Sequence, residues 1–280
     1  NTGNSIIKPI INGLYGSRVD VLNNEVNLQD QQWGIEHAPN IDINSSANIS
    51  VIKGAGALKY SGSAIGGIVI AEPPKVFLKD SLYGKTVITG GTNGRGGSVS
   101  TRLTRSFENG WFTSLQGTYK RFGDFETPDY ILSNSGLIDQ SASFQLGLNR
   151  INYGFEFFIS TVNNDIGIIR ASHLHAASDQ LRAIKSNQPW YIEPFTYKIN
   201  PPFQEVKHNI AKFKIFKRFQ DFGKLTFQYH FQDNKRLEFD VRRGKYKNIP
   251  ATNLRLKTHT IMLDFDSEFL NMFDFNYGIK

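Results

Sequence analysis

The chain has 280 residues, of which 13% are aromatic, with 25 Gly, two Met and no Cys, a profile typical of a β-rich protein. A mean hydropathy of -0.35 and the lack of any run of about 18 apolar residues exclude a helical membrane span, but a barrel needs apolar residues only at alternate positions. The absence of Cys excludes disulfides and thiolate metal sites. The formal charge of +7 is spread along the whole chain, so nucleic acid is not an expected partner.

Residues 1–79 are expected to form a small mixed α/β domain. Short apolar runs, such as residues 19–22 and 49–52, lie between turn residues rich in Gly and Asn, as in small sheets with tight connections. The chain begins at Asn1 without the basic and apolar regions of a signal peptide. An exported protein must have had such a region, so we expect this sequence to be either a mature fragment or a piece cut from a longer chain.

Residues 80–280 follow a different pattern, in which segments of about ten residues alternate between apolar and polar side chains, the length a tilted strand needs to cross a bilayer. In one such segment Leu225, Phe227, Tyr229 and Phe231 alternate with Lys224, Thr226, Gln228 and His230. The apolar set is expected to face lipid and the polar set a wet lumen. Residues 111–122, 140–150 and 153–159 repeat the pattern.

The connections between these segments alternate in length. Short turns are expected at residues 108–110, 150–152, 220–222 and 270–272, and long connections at residues 123–138, 163–205 and 233–256. Outer-membrane barrels have short periplasmic turns and long external loops, so this parity favours a membrane barrel over a soluble sandwich. Residues 163–205 are then an external loop, with a short helix near residues 176–184 capped by Ser178 and Asp179.

Residues 10–70 contain the runs INGLYGSRVDVLNNEV and DQQWGIEHAPNIDINSSANISVIKGAGALKYSGSAIGGIV, which resemble the plug of TonB-dependent receptors. The resemblance rests on these positions: Gly13, Gly16, Arg18, Asn23, Asn24, Asp42, Lys53, Gly54, Tyr60, Gly66 and Gly67. Glu25 departs from the family, which usually has Gly there, and Ser61-Gly62 stands where the family has Gly first. The lack of Walker A spacing argues against phosphate binding by the glycines.

This resemblance implies a mixed α/β plug fragment, residues 1–79, followed by an antiparallel transmembrane β-barrel, residues 80–280, with about nine strands of an expected 22. It also implies energised import across the outer membrane of a Gram-negative bacterium. The implied partners are TonB–ExbB–ExbD, through a segment outside this chain, and a surface lipoprotein. Outer-membrane lipid is a further partner, whose phosphates basic residues near the strand ends could meet.

The transported ligand is expected to be a divalent metal such as Zn²⁺, because carboxylate and imidazole are its natural ligands when thiols are absent. The candidate ligands are Glu36, His37 and Asp42 in the plug and His173 and His175 in the long loop. The Glu36-His37-Ala38 element resembles the Asp-His-Ala of zinc-uptake receptors in this family.

Alternatives to metal import remain open. Trp33, Trp190 and Tyr191 could contact an organic ligand such as a siderophore, haem or cobalamin. A passive surface-binding or adhesion barrel and a soluble β-rich binding module are further readings of the pattern. The sequence offers no nucleophile with an adjacent base, so neither catalysis nor a catalytic cofactor is expected.

Overall fold

The computed structural model describes residues 8–29, 40–172, 177–220, 222–242, 244–246, 248–269 and 273–279. Within them, a four-stranded sheet packs against one face of a nine-stranded sheet. We call the nine-stranded sheet the wall, the face toward the small sheet its inner face, and the opposite face its outer face.

The small sheet has the strand order β2-β1-β4-β3. Its strands are β1 (Val19–Asn23), β2 (Val26–Asn27), β3 (Asn48–Ile52) and β4 (Gly67–Glu72). The β1–β4 pair is parallel and the other two pairs are antiparallel. The described residues around this sheet include three 3-10 helices: Gly16–Arg18 before β1, Ile43–Ser45 before β3 and Gly54–Lys59 between β3 and β4. The core lies between β1, β4 and the third of these helices, where Ile68 is fully buried against Leu22 and Ala57.

Two glycines at the start of β4 are required by close packing. A Cβ on Gly66 would lie 2.9 Å from the backbone oxygen of Arg18, and one on Gly67 would lie 2.7 Å from that of Ile52. Gly67 also has a φ of +124°, a conformation that L side chains rarely adopt. These two positions of the plug-like sequence therefore have a structural explanation.

All neighbouring strands of the wall are antiparallel, and their order is β15-β14-β13-β12-β11-β10-β7-β6-β5. Its strands are β5 (Ser81–Gly91), β6 (Gly96–Ser106), β7 (Trp111–Phe122), β10 (Leu137–Asn149), β11 (Tyr153–Gly167), β12 (Phe203–Phe219), β13 (Gly223–Phe239), β14 (Thr252–Phe269) and β15 (Phe273–Ile279). A separate two-stranded ribbon joins β8 (Phe125–Glu126) to β9 (Ile131–Leu132). The sheet of nine strands beside a smaller N-terminal sheet confirms the expected fold class.

Burial alternates along the wall strands in the sense that the sequence predicts. On β13 the buried side chains are polar: Thr226, Gln228, His230, Gln232, Asn234 and Arg236. On the outer face Leu225 remains exposed, as do Ile215 on β12 and Leu263 on β14. A soluble sandwich would bury its apolar face, so this pattern is that of a wall with an apolar exterior.

The connections confirm the expected alternation of short turns and long loops, but not all of their expected residue limits. One end of the wall has the short connections at residues 107–110, 150–152 and 220–222, and the other end has the long ones at residues 123–136, 168–202 and 240–251. The turn expected at residues 270–272 lies outside the described residues. The expected bounds 163–205 and 233–256 were too wide, because the polar ends of β11–β14 continue to pair with their neighbours. The connection at the long-loop end between β5 and β6, residues 92–95, is also short.

The short helix expected in the long loop is confirmed as α1 (Ala177–Ile184). Leu181 and Ile184 give its apolar pair, and both side chains are exposed. No helix in the described part of the chain is long and apolar enough to cross a membrane.

Candidate functional site

The tight turn between β1 and β2 projects onto the inner face of the wall. Asn24 and Glu25 form this two-residue turn and have φ values of +48° and +68°, as the type I′ turn of a hairpin requires. Glu25 thus adopts the conformation that the usual Gly would adopt, and the change of residue adds a carboxylate at this point without changing the hand of the turn.

That carboxylate meets a fully buried lysine of β12. The Nζ of Lys212 donates to the backbone oxygen and Oδ1 of Asn24, both at 3.0 Å, and forms ion pairs with Glu25 at 3.0 Å and with Glu156 of β11 at 2.6 Å. Lys214 forms a second ion pair with Glu25. A buried ammonium is tolerated only with such partners. This cluster therefore fixes the hairpin turn to the wall.

The charge state of Glu25 reflects these contacts. Burial would raise its pKa, but the ammonium groups of Lys212 and Lys214 outweigh burial and lower the pKa from 4.5 to about 2. Since the folded-state pKa is depressed, the carboxylate stabilises the folded protein above pH 4.5, and this contribution is lost as the pH falls toward about 2.

A comparison of the full-length protein with its Glu25→Gln variant tests this pH dependence. We expect the native protein to melt at a higher temperature above pH 4.5 and the difference to shrink between pH 4.5 and about 2. The Glu25 side chain is 44% exposed, so solvent screening keeps the difference modest. A difference that stays constant down to pH 2 would contradict the ion pairs.

Asp42 forms a second attachment to the wall. Its Oδ2 accepts hydrogen bonds from Gln116 of β7 and from Ser141 of β10, the latter at 2.8 Å, while its Oδ1 accepts from the backbone N–H of Asn44 at 3.0 Å. The side chain is buried. These bonds give Asp42 an anchoring position, and its role as a metal ligand remains a prediction.

The residues on both sides of segment 30–39 also contact the inner face. The backbone N–H of Gln29 donates to Gln232 at 3.4 Å, and Gln232 donates to the backbone oxygen of Asn27 at 2.9 Å. The side-chain amide of Asn164 lies 3.4 Å from that of Asn40. The described chain thus stops at Gln29, opposite β13, and resumes at Asn40, opposite β11. The candidate ligands in it, Glu36 and His37, lie outside the described residues, as does Trp33.

The wall near these attachments carries buried polar groups. His208 of β12 and Asn234 of β13 are directly opposed across the strands, with 1% and 2% of their surface exposed. The Asn234 amide has no hydrogen-bond partner among the described residues. Among all the described residues, no three His, Asp or Glu side chains lie close enough together to hold a metal ion.

Hydrogen bonds join two of the long loops, residues 123–136 and residues 168–202. Asp124 is buried and accepts hydrogen bonds from the backbone N–H groups of Ser135 at 3.0 Å and Thr196 at 3.3 Å, and burial raises its pKa. Asn134 donates to the backbone oxygens of Asn200 and Pro202, each at 2.7 Å. The loop carrying α1 is therefore anchored on the neighbouring loop, residues 123–136.

Aromatic side chains of this loop stack with arginines. The guanidinium of Arg170 lies 3.7 Å from the ring centroid of Tyr191, and that of Arg182 lies 4.8 Å from the Trp190 ring. Trp190 and Tyr191, the candidates for an organic ligand, remain 43% and 37% exposed. His173 and His175 lie outside the described residues.

The remaining plug-motif residues have structural positions. Gly13, Gly16 and Gly54 have φ values of +80°, +64° and +68°, which favour glycine. The other three lie as follows: the Arg18 backbone oxygen accepts from Gly66 at 2.8 Å, Lys53 is the exposed residue before the third 3-10 helix, and Tyr60 packs on the small-sheet core.

The charged cluster around Lys212 was not anticipated. A polar residue at an inward position of β12 follows from alternation, but its partner Glu25 is 187 residues away. The one signal in the sequence was Glu25 itself, a charged residue at a turn position where Gly is usual.

Residues 1–68 match the family model described as TonB-dependent Receptor Plug Domain. The N-terminal region is thus similar to the plug of TonB-dependent receptors. Accordingly we call the small sheet with its connections the plug. No curated protein sequence matches the chain.

Solved structures are similar in fold. The copper transporter OprC aligns with 97% of this chain and 39% of its own length, at 14% identity and a TM-score of 0.69. The siderophore receptor PirA from Acinetobacter baumannii aligns with 92% of this chain and 38% of its own, at 16% identity and a TM-score of 0.54. This chain spans less than half of either structure. By their names, these proteins are a transporter and a receptor.

Proposed function

We propose that this chain is part of a receptor in the outer membrane of a Gram-negative bacterium, and that the receptor imports a scarce nutrient with energy supplied through TonB. The observation that carries the proposal is the docking of the plug on the inner face through separate polar attachments, at Lys212 and at Asp42, beside one small apolar cluster that includes Phe158 and Ile210. Hydrogen bonds and ion pairs exchange with water at smaller net cost than apolar contacts, so such a plug can be displaced without unfolding the wall.

The proposed division of labour assigns residues 1–79 to the gate and residues 80–280 to the barrel. TonB, with ExbB and ExbD, would act on the plug through a segment outside this chain. Uptake of the nutrient by cells that express the full-length receptor tests this. We expect uptake to be lost when TonB is deleted, and unchanged uptake would instead favour a passive barrel.

A divalent metal, with Zn²⁺ as the specific candidate, is the proposed cargo. The chain has no Cys and two Met, so it offers few of the soft sulfur ligands that select Cu(I), whereas imidazole and carboxylate suit Zn²⁺. Glu36 and His37 would supply the first ligands, with help from His173 or His175. Ligands between the plug attachments at Gln29 and Asn40 would couple binding to the element that must move.

Calorimetry on the full-length receptor tests the metal proposal. The His37→Ala variant is expected to lose zinc affinity by about tenfold or more, and the affinity of the unaltered receptor should fall below about pH 6.5, where imidazole is protonated. His259→Ala serves as the matched control, because His259 lies on the outer face and bonds to Tyr229. Zinc affinity that is unchanged by His37→Ala, or independent of pH, would contradict the proposal.

An organic ligand is the second candidate, favoured by the exposed Arg–aromatic stacks at Tyr191 and Trp190. A flat anionic ligand could stack on the same rings. In the same calorimetry, tight binding of a siderophore or haem together with no binding of zinc would select this alternative.

A further inference from the structure

The plug contains a buried carboxylate that forms no ion pair with any described residue. Asp20 of β1 is 9% exposed, and its Oδ2 accepts hydrogen bonds from the side-chain amide of Asn27 at 3.0 Å and from the hydroxyl of Ser63 at 3.2 Å. Both donors are neutral. A buried carboxylate is normally paired with a cationic side chain or coordinates a metal ion. Within the described residues, Asp20 therefore lacks the charge partner that its burial calls for.

The two other buried aspartates of the described chain have more complete contacts. Asp42 and Asp124 each accept hydrogen bonds on both carboxylate oxygens, and each accepts at least one from a backbone N–H. In Asp20 both hydrogen bonds go to Oδ2, and Oδ1 accepts none from the described residues. Because hydrogen bonds to a carboxylate stabilise its charged form, the Asp20 charge is the least compensated of the three.

Further oxygen atoms lie around this carboxylate. The hydroxyls of Ser61 and Ser63 are 2.9 Å apart, and Ser61 is buried. The Oδ1 of Asn27 is also buried and has no hydrogen-bond partner among the described residues. A half-turn of an amide exchanges its oxygen and nitrogen, so Asn27 can present Oδ1 to the carboxylate when a cation lies between them. We call the side chains of Asp20, Asn27, Ser61 and Ser63 the oxygen cluster.

Strand geometry places the oxygen cluster inside the plug. Val21 packs on the wall, so Asp20, one residue earlier on β1, points to the opposite face of the small sheet. The two serines follow the third 3-10 helix, and Ser63 is exposed, which leaves the cluster open to ions from solvent. The backbone oxygen of Asn27 accepts a hydrogen bond from Gln232 of the wall. The cluster therefore connects that attachment with the segment after the helix.

We propose that the oxygen cluster binds one Na⁺ ion. Hard cations take oxygen ligands, and the cluster contains no imidazole or thiolate, so Zn²⁺ and copper are poorly suited to it. Its single carboxylate carries one negative charge, which a monovalent cation neutralises, whereas a divalent cation would leave a net positive charge in a buried place. The site differs in its ligands from the proposed cargo site, and the inference does not depend on the import of a nutrient.

Amide hydrogen exchange of the full-length receptor, measured in NaCl and in choline chloride at equal ionic strength, tests the site. Bound Na⁺ would hold the segment after the helix against the β1–β2 hairpin. Above the dissociation constant, each tenfold rise in Na⁺ should make openings that release the ion about tenfold rarer. We therefore expect the amides of β1 and of residues 61–66 to exchange about tenfold more slowly, while the wall strands stay unchanged.

The test variant is Asp20→Asn, which removes the charge and keeps the size of the side chain. Its exchange should be the same in the two salts. The matched control, Asp129→Asn, removes an exposed carboxylate between β8 and β9 and should keep the full sodium effect. Ser61→Ala/Ser63→Ala removes two oxygens at constant charge and should weaken the sodium effect. It replaces Asp20→Asn if that variant does not insert into vesicles.

Sodium NMR measures binding directly. We expect the relaxation of the sodium signal to be faster with the unaltered receptor and with Asp129→Asn than with Asp20→Asn. The proposal is overturned if the unaltered receptor exchanges equally in the two salts, or if Asp20→Asn keeps the sodium effect. A slowing of exchange by Ca²⁺ at a concentration where Na⁺ has no effect would equally overturn it, because the site would then be one for a divalent cation.

Discussion

Replacing Lys212 with Met is expected to release the plug hairpin from the wall. The substitution removes the fully buried ammonium that Glu156, Glu25 and the Asn24 backbone oxygen share. Glu25 then keeps only Lys214, and Glu156 only the Asn24 side chain at 3.4 Å. Breaking a buried ion pair from one side typically costs about 3 to 5 kcal/mol. Amide hydrogen exchange of β1 and β2 in the full-length receptor should therefore become about a hundredfold faster or more.

A control on the same strand separates this effect from a general loss of charge. Lys217→Met changes an exposed lysine on the outer face and should leave exchange in the plug unaltered. The wall strands β12 and β13 should keep their protection in both variants, because their backbone pairing is independent of the side chain. Equal exchange in β1 and β2 for the two variants would contradict the anchoring role of Lys212.

A positive charge in the apolar band is expected to have the second large effect. Phe227 lies opposite Ile215 on β12 and Leu263 on β14, so Phe227→Lys would place an ammonium among lipid-facing side chains. Such a change destabilises a membrane barrel by about 2 to 4 kcal/mol near the midplane. Reversible denaturant unfolding of the full-length receptor in lipid vesicles measures it.

The control uses the fact that the cost of a lipid-facing charge depends on its depth in the bilayer. Asn209→Lys introduces the same ammonium on the outer face, opposite Asp233, beyond the apolar band, where the cost falls to about 0–1 kcal/mol. If both substitutions destabilise the receptor equally, or if neither does so, the outer face does not lie in lipid.

The wall could be predicted from the sequence because the alternation of apolar and polar residues is visible within each strand. Alternation fixes which residues of β13 share a face, so the buried Gln228 and the outward Phe227 follow from position alone. The ends of the strands could not be predicted in the same way. Near Gly167 and Phe203 the side chains no longer alternate clearly, yet β11 and β12 still pair there, because backbone hydrogen bonds do not depend on side-chain polarity.

The plug attachments could be predicted only in part. The resemblance includes Asp42 among the plug-like positions, but its hydrogen bonds to Gln116 and Ser141 join residues 74 and 99 positions apart. No periodic pattern encodes such pairs. The Lys212 cluster shows the same limit, since each of its charges would be read singly as an ordinary solvated residue.

Spin labels placed one at a time along β13 of the full-length receptor in vesicles test the central claim most directly. Labels at Leu225, Phe227, Tyr229 and Phe231 should collide readily with oxygen, which concentrates in lipid, and poorly with a water-soluble nickel chelate. Labels at the buried Thr226, Gln228 and His230 should be shielded from both, giving a period of two along the strand. Equal access of the nickel chelate to both sets, or no alternation in collision with oxygen, would contradict a plug-filled membrane wall.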